Sequence, residues 1–169
     1  SDSVAKNIDI GIIWDIHIVD NRIYFQSEWN IYCLEGGHLK VLRAPSEIRC
    51  SAVIRGKFYV ALEKELGILN GTEIVPLANT RNKVGLNNDS YKIVSLLSWE
   101  NKVLIVTSRD GLFVYDGNSV LPYHSVADSF VDSNLLFCAE TKNDLLALGS
   151  VQGGVLLLDG KTGQMERIS

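Results

Sequence analysis

"RDGLFVYDGNSVLPY" (109–123) and "QGGVLLLDGKTGQME" (152–166) each run through apolar residues into an Asp-Gly pair. They are either two chemical loops, the second with a Gly-Lys-Thr that half-resembles a phosphate loop, or one structural unit repeated. Aligning the chain on glycine decides between them. "NIYCLEG" (30–36), "ELGILNG" (65–71), "GLFVYDG" (111–117) and "GVLLLDG" (154–160) superimpose without a gap, with Gly36, Gly71, Gly117 and Gly160 in one column. The turn formers Glu35, Asn70, Asp116 and Asp159 precede that column, and Ile31, Leu66, Leu112 and Val155 share an apolar one. The glycines lie 35, 46 and 43 residues apart, so the chain repeats at about forty residues.

Other blocks recur around this one. Upstream of each glycine segment stand "NRIYFQS" (21–27), "GKFYVAL" (56–62), "NKVLIVTS" (101–108) and "NDLLALGS" (143–150), each opening on a turn signature. Before these come "WDIHIV", "RCSAVI", "YKIVSLLSW" and "LLFCAET"; after the glycines come "HLKVLR", "TEIVPL", "SVLPYH" and "QMERIS". The segments are short, rich in β-branched, leucine and aromatic residues, and joined by two-residue turns, which is strand rather than helix grammar. Runs such as "LFVY" and "VLLL" are apolar at successive positions, which predicts sheets covered on both faces. Four antiparallel strands per repeat, repeated four times and packed face to face about an axis, define an all-β chain with the β-propeller architecture. The expected blades span 12–44, 48–78, 91–125 and 134–169, in one partial propeller domain. "LDGKTGQ" is then a hairpin corner, since a phosphate loop needs a helix after it to aim its amides.

The 169 residues carry 16 basic and 20 acidic side chains, a net charge of −4, which argues against a nucleic-acid surface. No apolar run approaches the ~20 residues of a membrane span, so no membrane contact by this segment is expected. "SDSVAKNIDIGII" lacks the features of a signal peptide and reads as the start of a mature chain or of an excised piece. Cys33, Cys50 and Cys138, odd in number and set in apolar runs, are expected to be buried thiols.

"GLFVYDGNS", "GVLLLDGKTGQMERI" and "WDIHIVDNRIYFQSEWNIYCLEG" (14–36) resemble the two-component regulator propeller repeat, over almost the whole chain. Departures are visible: the family's Leu-Trp-Ile-Gly-Thr second strand is absent, and the second repeat reads "ELGIL" where Gly-Leu is usual. The resemblance implies the extracytoplasmic, periplasmic sensor region of a bacterial hybrid histidine kinase or related regulator, sensing carbohydrate as a non-enzymatic module. It also implies a ring of about seven blades, of which this chain is part, with the rest of the receptor as partner. An incomplete ring leaves apolar end faces, from which a homodimer through the end blades is expected. The alternative is a protein–protein interaction scaffold with no small ligand.

Propeller ligands sit on the face shared by the second-to-third-strand turns and the blade-to-blade linkers. There Trp29 is a candidate to stack on an oligosaccharide or other small ligand, and Arg81, Lys83, Asn87, Asn88, Asp89, Arg109 and Asp110 to hydrogen-bond it; the competing reading is ordinary loop polarity. Trp14 and Trp99 are expected in the core. His17, His38 and His124 have no zinc-ligand spacing, and no cofactor is expected. His124, Ser125 and Asp128 supply triad residue types without a nucleophile elbow, and Glu63 and Glu65 read as a solvated rim.

Overall fold

The structure is a computed structural model and describes residues 10–81 and 92–169. The candidates Lys83, Asn87, Asn88 and Asp89 lie outside the described residues. The chain forms four four-stranded antiparallel sheets in strict sequence order. Sheet 1 is β1 (Asp15–Val19), β2 (Arg22–Gln26), β3 (Asn30–Glu35) and β4 (His38–Arg43). Sheet 2 is β5 (Ile48–Ile54), β6 (Lys57–Leu62), β7 (Leu66–Asn70) and β8 (Glu73–Pro76). Sheet 3 is β9 (Ile93–Trp99), β10 (Lys102–Thr107), β11 (Leu112–Tyr115) and β12 (Val120–Tyr123). After the helix α1 (Asp128–Ser133), sheet 4 is β13 (Leu136–Lys142), β14 (Leu145–Ser150), β15 (Val155–Asp159) and β16 (Met165–Ile168).

The first strands, β1, β5, β9 and β13, are innermost and follow one another around a central channel. Each joins its second strand through two residues: Asp20-Asn21, Arg55-Gly56, Glu100-Asn101 and Asn143-Asp144. Both residues of Arg55-Gly56 and of Glu100-Asn101 have positive φ, the geometry whose twist matches that of the flanking strands. These turns correct one alignment. Asp144, not Asn143, takes the place of Asn21, Gly56 and Asn101, so Leu146 and Leu148 face sheet 3 while Leu145 is exposed.

Three apolar layers hold the sheets together. Tyr24, Ile31 and Leu42 meet Phe58, Val60 and Leu62 between sheets 1 and 2. Ile54, Ala61 and Leu66 meet Leu96, Ile105 and Tyr115 between sheets 2 and 3. Leu104, Val106 and Val114 meet Leu146, Leu148, Leu156 and Leu158 between sheets 3 and 4. On β10, Leu104 and Ile105 are adjacent, fully buried and belong to different layers, which explains the unbroken apolar run in an inner sheet. None of the three layers joins sheet 4 to sheet 1, so among the described residues the molecule is an open arc.

Two expectations are corrected by this packing. Residues 125–134, one of the blade-to-blade linkers expected on the ligand face, contain α1, whose Phe130 and Val131 are buried in the sheet 3–sheet 4 layer. Of the cysteines only Cys33 is fully buried; Cys50 is half-buried on the channel wall, and Cys138 is exposed on the outer face of sheet 4, where no further sheet covers it.

Candidate functional site: the channel mouth

The turns from second to third strand and the linkers between sheets meet at one end of the arc, stitched by backbone hydrogen bonds. Ile48 N–H donates to Glu28 O (2.7 Å), tying the β2–β3 turn to β5. Leu136 N–H donates to Ser108 O (2.9 Å), tying the β10–β11 turn to β13. Within sheet 3, Ser108 N–H donates to Lys92 O (2.9 Å) and Ser108 Oγ accepts from Lys92 N–H (3.2 Å). These contacts frame a cavity of about 590 Å3 at the mouth of the channel.

A recurring irregularity aims side chains into it. In sheets 2, 3 and 4 the innermost strand starts with a β-bulge, between Ile48 and Cys50, between Ile93 and Ser95, and between Leu136 and Cys138. The extra residue is Arg49, Val94 or Phe137, and all three line the cavity. A bulge leaves one residue out of the ladder and re-aims it, the common device next to binding sites. Sheet 1 has no bulge; its contribution is Trp14, immediately before β1, whose N–H is anchored on Gln26 O at 2.8 Å.

Trp14 is 65% exposed and Phe137 73% exposed, so two aromatic faces stand open at the rim. The rest of the lining is largely apolar, with Ile48, Ile93, Val94, Leu135, Leu136 and Val151, and into it Arg49 is set paired with Glu47, both largely covered. Glu28, Lys92 and the Ser108 hydroxyl complete the polar lining. Aromatic faces beside paired hydrogen-bonding groups suit a small polar ligand with apolar ring surfaces.

The sequence-derived candidates fall around this site rather than in it. Arg109 and Asp110 follow Ser108 in the β10–β11 turn but do not line the cavity. Asp110 N–H donates to Thr107 Oγ1 (2.8 Å), and partial burial raises its carboxyl above the usual carboxylate range. Trp29, 53% exposed, lines a neighbouring groove of about 260 Å3 together with Trp14 and Tyr32. Arg81 is exposed in the sheet 2–sheet 3 linker and does not line the cavity. Trp14, expected in the core, is the correction that matters most here: with no sheet beyond sheet 1, its ring faces the cavity and solvent. Trp99 is buried as expected, with Nε1–H donating to Tyr123 Oη at 2.9 Å. The bulge residues were missed because gap-free block alignment cannot register one extra residue per strand. The start of each innermost block was the available signal.

Below the mouth lies a smaller cavity of about 330 Å3, lined by His17, Ser51, Ser95, Glu140 and Thr141 among others. His17 Nε2 lies 2.9 Å from Ser51 Oγ and 3.4 Å from Asp15, and Ser51 O–H donates to the buried Gln26 Oε1 at 2.6 Å. Carboxylate and hydroxyl thus meet the same ring nitrogen, and the serine proton is committed to Gln26. This is not the relay of a nucleophilic serine, which needs both ring nitrogens. The ring sits edge-on to Phe58 at 5.0 Å, and burial lowers its pKa, against a smaller opposing effect of Asp15. At the surface, Asp128 binds His124 Nδ1 (2.9 Å) and caps Ser125 N–H (2.9 Å), a loop-closing arrangement. Among the described residues no cluster of three or more His, Cys, Asp or Glu side chains is placed to hold a metal ion, and no helix is long and apolar enough to cross a membrane.

With this geometry the chain has the β-propeller fold, and its similarities agree. No family model matches the sequence, and no curated protein matches it. Among solved structures it is similar to the extracellular domain of the BT4673 hybrid two-component system of B. thetaiotaomicron: TM-score 0.65, 9% identity, 92% of this chain and 25% of that one. It is similar to the WD40 domain of Neurospora crassa Pan2: TM-score 0.65, 12% identity, 93% of this chain and 49% of that one. The computationally designed protein Ika4 matches along nearly its whole length: TM-score 0.62, 13% identity, 95% of this chain and 93% of that one. The chain therefore spans a quarter of one natural neighbour and half of the other.

Proposed function

We propose that this chain is the ligand-binding propeller portion of an extracytoplasmic, periplasmic signalling receptor of two-component type. It acts without catalysis, taking a small ligand, an oligosaccharide first, at the channel mouth. The observation that carries this reading is the repeated bulge, which delivers Arg49, Val94 and Phe137 from three successive sheets into one cavity opposite Trp14. A scaffold feature that recurs while its side chain changes is what a ligand-reading position requires. The likeness to the BT4673 extracellular domain supports the receptor setting at the level of fold. A glycan panel read by thermal unfolding tests it. A true ligand at 100 times its dissociation constant stabilises the fold by about 2.7 kcal/mol, and the gain disappears in Trp14→Ala. No gain with any glycan, alongside capture of a protein by the same face, would favour the second reading, an interaction scaffold, to which the WD40 likeness lends support.

A further inference from the structure

Two sheet faces of the arc have no sheet against them, and they are of opposite kind. The free face of sheet 1 carries two cross-strand rows: Ile18–Ile23–Leu34–Leu39 is uncovered along its length, whereas in Ile16–Phe25–Tyr32–Val41 the Tyr32 side chain is already covered, its hydroxyl donating to Ile10 O at 3.4 Å. Counted from the hairpin turn, the uncovered row takes the places held in sheet 2 by Val53, Phe58, Leu69 and Ile74, which pack against the preceding sheet. The free face of sheet 4 carries Cys138–Gly149–Val155–Ile168 and Glu140–Ala147–Leu157–Glu166. Its Ala147 and Leu157 take the places of Leu104 and Val114, which pack against the following sheet. One free face is built to receive a preceding sheet, the other to receive a following one.

We propose that the two faces meet between copies of this chain: sheet 1 of each copy seats on sheet 4 of the other, head to tail, closing a two-copy ring. The alternative of a single contact is too small. A four-stranded face of five-residue strands covers about 300 Å2, so one contact buries roughly 600 Å2, below the ~1,000 Å2 that a specific interface needs. Closure makes both contacts at once and covers about 1,200 Å2. The chemistry is that of an interface core with a wet rim. Ala147, Leu157 and Val155 meet an all-apolar face, while Glu140 lines the channel and Glu166 is exposed on the outermost strand. An arc of this size also matches nearly the whole of the designed chain Ika4. The inference does not depend on what binds at the mouth, and it concerns the 169-residue chain by itself: within a longer receptor, further sheets of the same chain would take the place of the second copy.

Sedimentation equilibrium of the 169-residue chain, with Ile23→Glu and Leu157→Glu variants, tests the proposal. The expected mass is twice 18.7 kDa for the unaltered chain and a single chain for each variant alone. Mixing the two variants restores one intact contact and a weak pair. A monomer at every concentration overturns the proposal, as does growth beyond two copies, which means an open chain of arcs. If Leu157→Glu stays paired while Ile23→Glu does not, the contact is sheet 1 on sheet 1 and the head-to-tail arrangement is wrong. Thiol labelling of the unaltered chain gives a readout free of any folding defect. Cys138 is expected to react at least tenfold more slowly at high than at low protein concentration, and a rate independent of concentration contradicts the seating.

Discussion

Asp159 shows how little of a motif's meaning lies in its letters. In "LDGKTG" its Oδ1 accepts the N–H groups of Thr162 (2.9 Å) and Lys161 (2.8 Å), and its N–H donates to Gln164 O, so the aspartate closes the turn instead of serving a phosphate. Asp116 does the same with Asn118 and Ser119 in the third repeat. These amides hold both carboxyls below the usual carboxylate range. Asp159→Asn, which keeps an acceptor oxygen, is expected to melt close to the unaltered chain, and Asp159→Ala lower. Gly160 completes the column for another reason than its siblings. Gly36, Gly71 and Gly117 have positive φ, whereas a Cβ at Gly160 would stand 2.8 Å from the buried Trp99 ring. Gly160→Ala should therefore cost about 1–3 kcal/mol by overpacking, measured by urea denaturation. His17 adds a pH dependence. Burial depresses its folded pKa below the ordinary 6.5, so the unfolded chain binds the proton more readily. Its contribution is fully present above pH 6.5 and is lost as pH falls through the lower, folded value. In His17→Gln the fall in stability just below pH 6.5 should flatten, while the loss driven by Asp116 and Asp159 below pH 3.8 persists.

At the scale of the element, sheets 2 and 3 each contribute to two layers from a single strand, through Val60 and Ala61 on β6 and through Leu104 and Ile105 on β10. Leu104→Ala, at a fully buried position of β10, is expected to cost about 2–5 kcal/mol. Phe130→Ala in α1 should cost about 3–5 kcal/mol, since the ring is 6% exposed and fills the sheet 3–sheet 4 layer. Strand order and the third-strand columns were legible because alternation, paired turn residues and a forty-residue period all report the same backbone. α1 was not legible: "ADSFVDS" has only two large apolar residues, and they are buried by a neighbouring layer that no local pattern reveals. The one-residue slip at Asn143 arose because Asn143-Asp144 offers turn chemistry at both positions. The bulges were invisible for a similar reason, since Arg49 and Phe137 sit in blocks whose apolar content reads the same with or without the extra residue. Which end of the molecule carries the cavity followed from topology; which side chains line it did not.

At the scale of the whole molecule, four sheets make three layers, and the ends and the mouth carry what is left unsatisfied. The end faces ask for further sheets, and the mouth, with Trp14 and Phe137 open and Arg49 held by Glu47, asks for a ligand. The measurement that tests this most directly is calorimetric titration of the best glycan from the panel into the unaltered chain, Trp14→Ala and Trp29→Ala. Trp14→Ala is expected to weaken binding at least tenfold, while Trp29→Ala, whose ring lies in the adjoining groove, leaves it within about twofold. Loss of binding in Trp29→Ala with Trp14→Ala unaffected would move the site to the strand turns and contradict the assignment of the channel mouth.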